Sequence, residues 1–170
     1  MRRLLVLAIA TPILLAAPAL AADTPAAADL ELVTRTRAAL SEVRAFEHLN
    51  DDIVKRCREP VTGAYGDWRD EFKADLARTR ALDKALQQRL PGREAAPAAD
   101  DRLKPFTEAE GQPLYSRCLR WSTLLIQRES PVRSDLASRF VFLRDNETRI
   151  RTVIGNDVEW QQWRAAGTLP

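Results

Sequence analysis

The sequence predicts an all-α protein: a small bundle of four main helices with a short fifth at the C-terminus, fastened by one disulfide. Three observations predict it. After residue 29, apolar residues recur at intervals of three and four, the period of a half-buried helix. No run of about five residues or more alternates between apolar and polar, as a half-exposed strand would. The two cysteines among the 170 residues, Cys57 and Cys118, lie in separate helical stretches. Such a pair suits a single cross-link in an oxidising compartment.

The start of the chain supplies that compartment. Arg2 and Arg3 precede an apolar run from Leu4 to Ala10, with Ile13, Leu14 and Leu15 beyond it, and the stretch closes on Ala19-Leu20-Ala21. A basic start, a short apolar core and a small-x-small end make residues 1–21 a signal peptide. Pro12 and Pro18 break the run well short of the ~20 residues of a membrane-spanning helix. The reading that follows is a disordered mature N-terminus over 22–28, a helical bundle domain over 29–170, and a periplasmic location.

The first helix is expected over 29–58. Leu32, Thr36, Leu40, Val43, Phe46, Ile53 and Cys57 form its apolar stripe, and Asn50 falls on or beside it. Pro60 is expected to end this helix, and Gly63 and Gly66 to loosen the connection. The second runs from 65 or 67 to 90 on the stripe Tyr65, Trp68, Phe72, Leu76, Thr79, Leu82, Leu86, Leu90, and Pro91-Gly92 stops it. Residues 93–106 are small and proline-bearing and read as a mobile surface connection that Leu103 and Phe106 dock back onto the bundle. Thr107 and Glu110 have capping-box spacing, but Gly111 and Pro113 interrupt any long helix there.

The third helix is expected over 113–128. Leu114, Cys118, Trp121 and Leu125 share one face, and Leu119, Leu124 and Ile126 broaden it, which predicts the most enclosed helix of the set. Ser130-Pro131 supplies a cap and a first helical residue. The fourth helix carries Val132, Leu136, Phe140, Leu143, Ile150 and Ile154 and ends at Gly155. Asn156-Asp157 then caps a short last helix bearing Trp160 and Trp163.

Charge excludes some partners. The chain has 26 Lys and Arg against 24 Asp and Glu, and removal of Arg2 and Arg3 with the signal leaves the two signs balanced. Nothing in that balance favours a nucleic acid, which calls for a concentrated basic surface. The polar side of the second helix mixes both signs, unlike the mainly basic face of a helix that lies on anionic membranes.

Chemistry is sparse. His48 is the sole histidine; with Asp52 one turn on, and Glu47 beside it, it could form a general base or a metal ligand. A solvated polar face explains the same residues, and zinc needs three or four protein ligands. Ser41 lies two turns from His48, roughly 10 Å, too far for a nucleophile–base contact. Glu71/Asp75 and Asp67/Asp70 have ordinary helix-surface spacing. No metal, cofactor or catalytic residue is assigned. Trp160, Trp163 and Arg164 are the candidate interaction residues, because Trp and Arg dominate interface hot spots; the competing reading packs both indoles into one end of the core.

Two function classes survive. The first is a non-catalytic periplasmic protein that binds another exported protein, as an inhibitor or immunity factor for an envelope-acting effector does. The second is an envelope enzyme, such as a cell-wall glycan hydrolase using two carboxylates across a cleft.

Overall fold

The computed structural model describes residues 25–90, 106 and 111–169; the signal segment, residues 22–24 and the 93–106 connection other than Phe106 lie outside the described residues. The helices are α1 (Pro25–Cys57), α2 (Glu59–Glu71), α3 (Lys73–Arg89), α4 (Leu114–Ile126), α5 (Pro131–Asp145), α6 (Glu147–Gly155) and α7 (Asp157–Ala165). Among the described residues there is no strand. The protein is all-α, and Cys57 and Cys118 form the disulfide, with Cα atoms 5.6 Å apart.

Helix α1 begins at Pro25, inside the stretch read as a disordered lead-in to the helix expected from Asp29. Proline suits a first helical turn, and Ala26, Ala27 and Ala28 have the highest helix propensity of any residue. The helix ends at Cys57 because Arg58 takes φ 51° and ψ −127°, a conformation that turns the chain back on itself.

Pro60, Gly63 and Gly66 do not make a loop. The chain re-enters a helix at Glu59, with Pro60 in the first turn, where its missing N–H costs no hydrogen bond. Both glycines lie within α2, where an added Cβ would meet nothing within 4 Å. The expected second helix is instead bent at Phe72, whose φ of −97° and ψ of 16° separate α2 from α3. Phe72 lies 5.4 Å from the Trp68 ring and 5.2 Å from the Phe140 ring, so packing against α5 accompanies the bend.

The fourth helix divides in the same way. Asn146 (φ −104°, ψ 4°) separates α5 from α6. Its side-chain amide donates to the Phe142 carbonyl at 2.9 Å, the kind of local bond that competes with the regular helical ladder. Ser130 caps α5 by accepting from the Arg133 backbone N–H.

Helix α1 runs past two halves of one core. Val43, Phe46, Ile53 and Cys57 pack with Trp68, Trp121, Leu125 and Phe140. Leu32, Val33 and Leu40 pack with Leu82, Leu143, Ile150, Trp160 and Trp163. Ion pairs clamp the helices outside these halves: Arg78–Glu147 joins α3 to α6 and Arg149–Asp29 joins α6 to α1.

Candidate binding surface

Helix α4 is held from several sides. Cys118 ties it to the end of α1. One turn on, the Trp121 indole donates to Asn50 Oδ1 at 2.9 Å, and the Asn50 amide donates to the Phe46 carbonyl at 2.8 Å. Both residues are buried, so each polar atom in this contact needs the partner it has. Phe106 meets the Trp121 ring edge-on at 6.2 Å, and the Arg117 guanidinium lies 4.7 Å from the Phe106 ring centre.

The far end of α4 is fixed by Arg133, itself only 7% exposed. Its Nη1 donates to the Leu125 and Ile126 carbonyls, both at 3.1 Å, and its Nη2 donates to Glu71. A cation on the last carbonyls of a helix complements the helix dipole. The disulfide beside the start of α2 and the Arg133 bridge beside its end show that α2 and α4 run in the same direction.

Cys118, Trp121 and Leu125 are buried, as their spacing predicts, yet α4 is not the most enclosed helix. Tyr115 is 64% exposed, Ile126 57%, Leu114 47% and Leu119 45%. At 3.6 residues per turn, Tyr115, Leu119, half-buried Ser122 and Ile126 lie on a stripe about 100° around from the buried one. The apolar width that suggested enclosure exceeds what the neighbouring helices cover. Of the other large apolar side chains exposed among the described residues, Val141 lies on α5 and Val158 on α7, so α4 holds the concentration.

The expected interaction residues sit elsewhere. Trp160 and Trp163 are buried, their rings edge-to-face at 5.2 Å, and the Trp160 indole donates to the Val153 carbonyl at 2.9 Å. These indoles close one end of the core and offer no surface to a partner, because a helix as short as α7 is held by burying them. Arg164 is exposed and donates to the Arg89 carbonyl at 3.1 Å, near the end of α3.

The polar candidates do not assemble into a reactive group. His48 is exposed and Ser41 is buried. Asp52 accepts from Lys55 at 2.9 Å, and that bond and charge hold its carboxyl below the usual range. Glu47 is paired with Arg80, Asp75 with Arg78, and Glu71 with Arg133. Among the described residues, no three His, Cys, Asp or Glu side chains are grouped to hold a metal ion, and no helix is long and apolar enough to cross a membrane.

No known family, characterised protein or solved structure matches the chain.

Two clefts of about 330 Å³ lie among the described residues. One is lined by Ala85, Gln88, Arg89, Arg151, Ile154 and Gly155 and contains no carboxylate. The other, beside the α2–α3 bend, is lined by Gly66, Arg69, Asp70, Lys73, Leu76 and Arg80, with Asp70 as its one acid. Neither has the facing carboxylates of a glycan hydrolase.

Proposed function

We propose that the chain is a non-catalytic binding protein of the periplasm that holds another exported protein, in the manner of an inhibitor or immunity factor, and that α4 is its docking face. The observation that carries this reading is the exposed stripe of Tyr115, Leu119 and Ile126 on a helix fastened by a disulfide and a buried indole–amide bond. A concentrated apolar patch in water is a common mark of a recognition surface. A helix already locked in place loses little freedom when a partner covers it.

The test is affinity capture from the envelope extract of the source cells, with the mature protein and its Leu119→Asp variant as parallel baits. One dominant protein retained at stoichiometric level by the first bait and lost with the second supports the reading. Equal recovery on both baits contradicts α4 as the docking face. No retained protein, together with cleavage of purified peptidoglycan by the bait, replaces the binder with the envelope enzyme.

A further inference from the structure

The arginines of this protein fall into two groups. Those of the other helices are largely spent on holding the bundle: Arg44 pairs with Asp83, Arg78 with Glu147, Arg133 with Glu71, Arg139 with Glu42 and Arg149 with Asp29. The arginines of α4 and the turn after it are used differently. Arg117 lies on the Phe106 ring, whereas Arg120 and Arg128 are exposed and, among the described residues, engaged in no ion pair. From Leu114 to Arg128 there is no acid at all; the first is Glu129. The stripe of Tyr115, Leu119 and Ile126 thus lies on a segment whose exposed charges, Arg120 and Arg128, are both positive.

We infer that the α4 face takes a protein surface with an apolar centre and an acidic rim. This rests on the binding function proposed above and specifies the partner's chemistry. Exposed cations left without partners at the rim of an apolar patch favour an oppositely charged rim and speed its approach. A guanidinium also pairs bidentately with a carboxylate, which fixes register as well as sign.

The same charges argue against a second copy of this chain. A two-fold interface sets the same patch against itself, so both rims would carry the same positive charges with no acid on either helix to complement them. Lipid is disfavoured by the rest of the polar face. The remaining polar positions of the helix, Ser116, Ser122 and Thr123, are neutral, whereas a helix that lies on anionic membranes has a mainly basic polar face.

The experiment places the photo-crosslinking residue p-benzoylphenylalanine at position 119 of the full chain, expressed in its own cells. The crosslinked peptide is then sequenced. The expected product joins position 119 to one other polypeptide, at a segment where Asp or Glu borders apolar residues. Arg120→Glu combined with Arg128→Glu lowers the yield by about tenfold or more, while Lys at both positions retains most of it. The reversed-charge chain keeps its wild-type melting temperature, since neither side chain is engaged in an ion pair among the described residues.

A product with a second copy of this chain, or with lipid, overturns the inference. Crosslinking to another protein that is indifferent to charge reversal overturns the acidic rim and leaves the binding function standing. No crosslink to anything overturns both.

Discussion

The indole of Trp121 and the amide of Asn50 meet at 2.9 Å in a fully buried contact between α4 and α1. It lies one turn from the Cys57–Cys118 bond along α4 and two turns from it along α1. The covalent link sets how close the helices come; the hydrogen bond selects their register, because a slip leaves a donor and an acceptor dry.

Asn50→Leu leaves the indole N–H buried without an acceptor and lowers stability by about 2 kcal/mol in urea denaturation. With Trp121→Phe in the same chain, the two costs overlap, and the cycle gives a coupling of about 1 kcal/mol. Simple additivity contradicts the pairing.

Replacing both cysteines by serine releases a constraint across a sequence separation of 61. The expected loss is about 4 kcal/mol in the chain-entropy model. It is read from the denaturation midpoints of the two proteins, and the reduced wild type should match the double variant.

Much of this was legible in the sequence, for a physical reason. Spacing reports which residues share a side of a helix, so the stripes of α1 and α3, the cysteine pair and the Ser130 cap all follow from it. Spacing does not report how many neighbours that side has. For this reason the broad apolar face of α4 suggested enclosure while half of it is bare. The Trp160 and Trp163 pair fitted either an interface or the end of the core, and only the folded chain shows both buried.

The bends at Phe72 and Asn146 escaped for a related reason. An apolar stripe continues across a bend, and Phe72 and Phe140 show their mutual approach only after the chain has folded. Pro60 and the two glycines misled in the opposite direction. Each weakens a helix locally, but Val61, Ala64, Tyr65 and Trp68 bury enough apolar surface between them to hold α2 together.

Arg133 and Glu71 differ in burial, and the difference predicts unequal losses. The Arg133 side chain is 8% exposed and that of Glu71 47%. Arg133→Ala strips the α4 carbonyls of their donor and the Phe72 ring of its cation, 5.6 Å away, and costs about 3 kcal/mol. Glu71→Gln leaves those contacts in place and costs under about 1 kcal/mol. Equal losses, measured by urea denaturation, contradict the assigned roles.

Glu159 gives a pH signature. Burial, then the nearby Asp29 charge, raises its pKa above the ordinary glutamate value, and its Oε2 lacks a hydrogen-bond partner. A raised folded-state pKa means that the folded protein prefers the protonated acid. Its penalty is absent below the unfolded pKa, about 4.3, and develops as pH rises through the folded value. Glu159→Gln therefore raises the melting temperature at pH 7, and the gain shrinks toward zero on acidification. A gain that grows at low pH reverses the assignment.

The most direct test of α4 as the docking face is titration calorimetry of the captured partner against wild type, Leu119→Asp and Trp163→Ala. Leu119→Asp is expected to keep stability within about 0.5 kcal/mol while losing about 2 kcal/mol of binding, roughly thirtyfold in Kd. Trp163→Ala should lose about 3 kcal/mol of stability yet bind normally at temperatures where it stays folded. Wild-type affinity in Leu119→Asp, or a binding loss confined to Trp163→Ala, would place the interface elsewhere.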